Sequence, residues 1–199
     1  QLADILERIE LNYNRPDLYI SVKSLKDKEI LKNTVCLSYE GQVTVEVVPN
    51  LGRDIGPFLT HFGKRLVEKY ELVGHVHTKK SLHANNSEMI DRWVNFLFSG
   101  VLGGQTAGAM LDRIFAQFAE DSALGIVFPD DPHVFGWTSN RPEAQSLATS
   151  MGVKQLPYAI NFPVGTMFWM RSQVLQDFVD LDLDWSFYPP EPVPSDGTV

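Results

Sequence analysis

Apolar and polar positions alternate between two periods along this chain. Leu2, Ile5, Leu6 and Ile9 recur at helical spacing, so residues 2–11 read as an amphipathic helix. "DLYISV" (17–22) and "QVTVEVV" (42–48) are short runs rich in β-branched and aromatic residues, as strands are. "KDKEILKN" between them reads as a short helix. Ile55, Phe58, Leu59, Phe62, Leu66 and Tyr70 return to helical spacing. "ELVGHVH" is the next strand, and "SEMIDRWVNFLFSG" a helix with Ser87 at its N-cap. "QTAGAMLDRIFAQFAED" is a helix and "LGIVFP" a short buried strand. "RPEAQSLATSMG" is a helix closed by Gly152, "VGTMFWMR" a strand and "SQVLQDFVDL" a helix. "YPPEPVPSDGTV" is a Pro-rich loop. Strands thus alternate with helices. That order predicts an α/β fold, a three-layer sandwich around one mostly parallel sheet, in a single domain over residues 1–199. Ligands of such sheets bind outside the carboxyl ends of the strands.

The chain has 199 residues, of which 44% are hydrophobic and 21% charged, enough to bury a core. No apolar run approaches the roughly 18 residues of a membrane span. The start, "QLADILERIELN", lacks the basic lead and apolar centre of a signal peptide. Cys36 is the sole cysteine, which excludes an internal disulfide and fits a reducing, cytoplasmic setting. The chain opens directly on a helix and closes on "DGTV", so it reads as a piece of a longer protein cut at both ends.

The net charge of −8 argues against a nucleic-acid partner. The charge is uneven, however. Residues 50–83 carry Arg53, Lys64, Arg65, Lys69, Lys79 and Lys80 against Asp54, Glu68 and Glu71. Residues 177–199 hold Asp177, Asp180, Asp182, Asp184, Glu191 and Asp196 with no basic residue. An anion suits the first region.

Two corners fall at strand ends. In "NLGRDIGPF" (50–58), Arg53 stands beside a helix N-terminus, where an anion is already favoured and a guanidinium suits a phosphate fork. Asp54 reads either as an N-cap or as a carboxylate accepting from ribose hydroxyls or a base N–H. No Walker or dinucleotide glycine pattern is present. In "HVHTKKSLH" (75–83), His75 and His77 alternate on a strand and point to one face. With His83 they make a candidate metal site. The other reading puts Val76 and one histidine in the core and leaves His77, Thr78 and Lys79 as a polar strand end suited to a diphosphate.

"VVPNLGRDIGPFL", "HVHTKKSLH" and "NFPVGTMFWMRSQVL", in this order and followed by "YPPEPVPSDGT", resemble the rhamnan synthesis protein F family over nearly the whole chain. The resemblance implies a bacterial polysaccharide glycosyltransferase of GT-A-like fold, acting in cell-wall or O-antigen assembly with rhamnose as its typical sugar. It implies a deoxythymidine-diphosphate (dTDP) sugar donor, with Asn50, Gly52, Arg53 and Asp54 lining the nucleotide half of the cleft. GT-A enzymes usually place an Asp-x-Asp metal motif at a middle strand end. Here that position reads "HVHTKKS", so both acidic ligands are missing. His77 then ligates a divalent ion such as Mg²⁺ or Mn²⁺, or Lys79 neutralises the diphosphate directly.

Inverting transfer needs a carboxylate that takes the acceptor hydroxyl's proton. In GT-A enzymes the acidic loop after the "FPVGTMFWMR" strand carries it, which nominates Asp196 first and Glu191 second. "FPVGTMFW" forms the acceptor-side wall, with Gly165, Thr166 and Trp169. Phe168 and Trp169 either stack on a sugar or pack the core, and adjacent strand residues face opposite ways. The acceptors are expected to be lipid-linked saccharides, so contact with the inner face of the plasma membrane is expected, although no basic amphipathic helix marks it. A histidine-based metal hydrolase and a non-catalytic nucleotide- or carbohydrate-binding module are the rival readings.

Overall fold

The structure is a computed structural model that describes residues 1–78, 87–134, 136–137 and 140–190. The chain divides into two compact units. The first comprises residues 1–47, 74–129 and 163–170, and the second residues 48–73, 130–162 and 171–199.

In the first unit, α1 (Leu2–Glu10) buries Ile5 and Ile9, the face its spacing predicts. The strands β1 (Leu18–Val22) and β2 (Val43–Val47) pair in parallel, with Leu18 opposite Val43 and Val22 opposite Val47. The crossover between them holds α2 (Leu25–Lys32) and α3 (Val35–Ser38). Ser24 caps α2, accepting from the Asp27 N–H at 3.1 Å and donating its hydroxyl to the Asp27 carboxylate at 2.7 Å. Later in the chain come β3 (Leu72–His75), α5 (Ser87–Val101), α6 (Met110–Glu120), β4 (Ile126–Val127) and β5 (Phe168–Arg171). The core is densest on α5 and α6, where Leu97, Phe98, Val101 and Leu111 are fully buried. Helix α6 starts five residues later than its sequence pattern predicts at 105. Gly104 and Gly108 there exchange backbone hydrogen bonds in a tight bridge, which takes those residues out of the helix.

In the second unit, Pro57–Phe62 forms a π-helical turn that runs into α4 (Gly63–Lys69). The expected continuous helix over 55–70 is therefore widened at its start. Helix α4 packs on α8 (Ser172–Val179), and Val179 occupies the space a side chain at Gly63 would need. Helix α7 (Arg141–Ser150) ends as expected at Gly152. The Val153 N–H bonds the Ala148 carbonyl and the Gly152 N–H bonds the Thr149 carbonyl, the paired closure of a Schellman turn.

The mixed α/β character holds, but the single mostly parallel sheet does not. The described strands form two sheets: β1–β2, and a three-stranded sheet in the order β3-β5-β4. Within the latter, β4 and β5 run antiparallel, with Ile126 opposite Met170 and Val127 opposite Trp169. The physical reason lies in the connection. A strand-helix-strand pattern gives parallel strands when the helix packs across its own two strands. Helix α7, between β4 and β5, belongs to the second unit instead.

One polar network ties α1 to α6 inside the first unit. The buried Asn12 donates its amide to the Arg8, Ile9 and Leu102 carbonyls. The Asp112 carboxylate accepts from the Tyr13 N–H at 2.7 Å, the Asn14 N–H at 2.9 Å and the Asn14 side-chain amide at 2.7 Å. Burial pushes the Asp112 pKa up, but these three donors outweigh it and hold the carboxyl below its ordinary value. Its contribution to stability is therefore present above an unfolded-state value of about 4 and is lost as pH falls through the lowered folded value. We expect Asp112→Ala to destabilise the chain by roughly 1–3 kcal/mol at neutral pH, with a difference from wild type that shrinks on acidification. Urea unfolding of both proteins at neutral pH and near pH 3 checks this.

Candidate functional site

The first corner is built in the second unit by two successive left-handed residues, Gly52 (φ 65°) and Arg53 (φ 51°). The reversal is closed by the Gly56 N–H donating to the Gly52 carbonyl at 2.8 Å. Gly52 is buried, and a Cβ there would lie 2.7–2.8 Å from the Tyr188 ring and from the Gly56 Cα. The glycine is thus required both by its positive φ and by an aromatic ring laid on its backbone. Trp185 covers Gly56 in the same way, at 3.3 Å from its hypothetical Cβ. Pro57 then opens the π-helical turn, where its missing N–H leaves no bond unmade.

Thr60 locks the covering segment down. Its hydroxyl donates to the Leu183 carbonyl at 2.9 Å, which leaves the Tyr188 hydroxyl as donor in their 2.8 Å contact. Burial pushes the Tyr188 hydroxyl pKa up. Asp184, two residues after Asp182, is held below the ordinary carboxylate range by the Ser186 hydroxyl and then the Ser186 N–H. The result leaves Arg53 and Asn50 exposed and Asp54 half-buried, on a corner backed by Trp185 and Tyr188. Spacing and residue type singled out Arg53. The partnership of Thr60 with Tyr188, 128 positions later, had no sequence signal.

The second corner is built in the first unit. The nominated residues His77, Gly165 and Thr166 meet there, together with His75. Gly165 (φ 66°) and Thr166 (φ 54°) form a second left-handed pair, on the turn before β5. The His75 Nδ1 lies 2.5 Å from the Thr166 carbonyl oxygen, and the His77 Nε2 lies 2.8 Å from the Gly165 carbonyl oxygen. The two rings stack 5.9 Å apart at 26°, so both side chains do share one face of the strand. His75 is buried at 7% exposure, Val76 and His77 are half-buried and Thr78 is exposed, so Val76 is not the core residue that the polar-strand-end reading expects.

Trp169 sits in the core of the first unit. Its indole N–H donates to the Val101 carbonyl at 2.9 Å, Phe115 meets it edge-on at 4.9 Å, and Gly74 lies flat against its ring. Phe168 is buried as well, against the His75 ring at 5.5 Å. Of the two roles open to these aromatics, the structure shows packing. Gly165 is approached by protein: Leu97 and Trp93 fill the space beside it. Lys79, His83, Glu191 and Asp196 lie outside the described residues. Among the described residues, no group of three or more His, Cys, Asp or Glu is placed to hold a metal ion. Among them, too, no helix is long and apolar enough to cross a membrane.

These features define a mixed α/β protein with two pinned left-handed corners at strand ends. The chain belongs to the rhamnan synthesis protein F family, which matches residues 1–199. The family takes its name from rhamnan synthesis. It is 31% identical over 176 residues to the "Uncharacterized protein WxcX" of Xanthomonas campestris pv. campestris strain B100. The same identity and length hold for the protein of that name in strain ATCC 33913. Each alignment covers 86% of this chain and 24% of the relative, so the chain spans about a quarter of their length. No solved structure gives a significant match.

At Gly165 a Cβ would lie 2.7 Å from the Leu97 Cδ1, on a backbone with φ 66°. We expect Gly165→Ala to destabilise the chain by about 1–3 kcal/mol, read as a lowered melting temperature. An unchanged melting temperature would show that the turn tolerates a side chain.

Proposed function

We propose that this chain is the catalytic domain of a glycosyltransferase. It moves a sugar, in first place rhamnose, from a nucleotide-diphosphate donor such as dTDP-rhamnose to a growing cell-surface polysaccharide. The observation that carries the reading is the family match across residues 1–199. The geometry supports it. Arg53 is exposed at a preformed left-handed corner, next to a π-helical turn of the kind frequent at functional sites. In this reading Asn50, Gly52, Arg53 and Asp54 hold the nucleotide half of the donor, and Arg53 forks a phosphate. His77, Thr78 and Lys79 serve the diphosphate. Gly165 and Thr166 form the acceptor side, while Trp169 supports that side from the core.

The reaction is inverting. Asp196, or Glu191 in its place, takes the proton from the attacking hydroxyl while positive side chains stabilise the leaving diphosphate. Glu191 follows three residues after Tyr188, whose ring packs on Gly52. The fold belongs with GT-A-like nucleotide-sugar enzymes on this reading. The acceptor is a lipid-linked saccharide met at the inner face of the plasma membrane. If a divalent ion takes part, His77 is the residue that ligates it on this reading.

Thermal shift with dTDP and dTDP-rhamnose, each with and without Mg²⁺ or Mn²⁺, tests donor binding, since a ligand of the folded state raises its melting temperature. We expect Arg53→Ala to weaken dTDP binding by about 1.5–3 kcal/mol, roughly ten- to a hundredfold in Kd. Unchanged affinity would remove the phosphate role. Asp196→Asn should abolish transfer while leaving dTDP affinity intact, and normal turnover by that variant would pass the base to Glu191.

A further inference from the structure

We propose that His75 and His77 are positioning residues, a tautomer-locked clamp that holds the Gly165–Thr166 turn in its left-handed form. The role given to that turn rests on the glycosyltransferase reading above; the clamp itself rests on four hydrogen bonds. Threonine is β-branched, and a β-branched residue at positive φ is a true outlier of the backbone map. Thr166 stands at φ 54°. Such strain persists only where the surroundings over-determine it, and it gathers at active sites and ligand clamps.

Here the surroundings do so. The Thr166 N–H donates to the Pro163 carbonyl at 2.9 Å, and its hydroxyl donates to the Gly165 carbonyl at 2.8 Å. The His77 Nε2 meets that same Gly165 carbonyl at 2.8 Å, and the His75 Nδ1 meets the Thr166 carbonyl at 2.5 Å. Successive carbonyls of the strained turn are thus received by alternate residues of the neighbouring strand end. The two-residue repeat of the strand is what presents both imidazoles to the same turn.

A carbonyl only accepts, so the facing nitrogen of each ring carries its proton. The two histidines are therefore opposite tautomers when neutral: Nδ1–H at His75 and Nε2–H at His77. An apolar residue at position 75 would fill the same buried space but make no hydrogen bond to the Thr166 carbonyl. Histidine there serves the turn. With both carbonyls tied to β3 and its extension, the wall formed by Gly165 and Thr166 is set before any ligand arrives, and binding does not have to order it.

Imidazole 15N NMR on the labelled protein tests the clamp directly. The expected result is the Nδ1–H form for His75, with the Nε2–H form for His77. An Nε2–H tautomer at His75 overturns the proposal. Asparagine places its amide N–H close to where Nδ1–H sits, so His75→Asn should keep the clamp and His75→Ala lose it. In the full-length protein, His75→Ala should lower kcat for transfer from dTDP-rhamnose roughly ten- to a hundredfold, as a misplaced wall would, with little change in donor KM. His75→Asn should recover most of that loss.

An asparagine variant as poor as the alanine one, both folded, overturns the clamp, as does a raised donor KM at unchanged kcat. If the wild-type protein transfers no sugar, the function reading fails. Hydrogen exchange at the Thr166 amide then decides the clamp alone. Faster exchange in His75→Ala, restored in His75→Asn, supports it, and equal exchange in all three proteins sinks it.

Discussion

A left-handed turn that includes a threonine persists only where its surroundings hold it, and the turn before β5 in the first unit is held by hydrogen bonds. The turn before β5 bends left-handed at Gly165 and Thr166, which points their carbonyls at the end of β3 instead of along a ladder. Backbone carbonyls are strong hydrogen-bond acceptors. Histidines at alternate positions of the neighbouring strand donate to both, and the stacking of their rings follows from the strand's two-residue repeat. The identity of "HVH" is thereby explained by the shape of "PVGT".

Glycine beneath an aromatic ring is the second recurring device. Trp169 lies on Gly74 and Tyr188 lies on Gly52. In each case the missing Cβ lets a large ring approach the backbone, which buries apolar surface while the ring's polar atom bonds elsewhere. The Trp169 indole reaches Val101, and the Tyr188 hydroxyl reaches Thr60. Both pairs join residues far apart in sequence and so fix the backbone they cover.

The family and the geometry contribute different halves of the functional reading. The family supplies a name that points to rhamnan synthesis. The geometry supplies an exposed arginine on a left-handed corner and a separate turn braced by histidines. Neither half depends on the sheet being parallel throughout, and the antiparallel pairing of β4 with β5 leaves both in place.

Periodicity alone determined most helices and strands, because a helix must bury one stripe and a strand one face whatever they pack against. The buried positions of α1, the Schellman closure at Gly152 and the shared face of His75 with His77 are local consequences of this kind. Residue type at a strand end also marked Arg53, Gly52 and Gly165, since glycine and a guanidinium at a reversal carry their own chemistry. Tertiary structure decided the rest. The direction of β4 against β5 and the burial of Trp169 depend on partners dozens of residues away. So does the choice of ring nitrogen at each histidine, which is set by a carbonyl 88–91 positions downstream. Spacing is a property of neighbours along the chain, whereas pairing direction and hydrogen-bond partners are properties of neighbours in space.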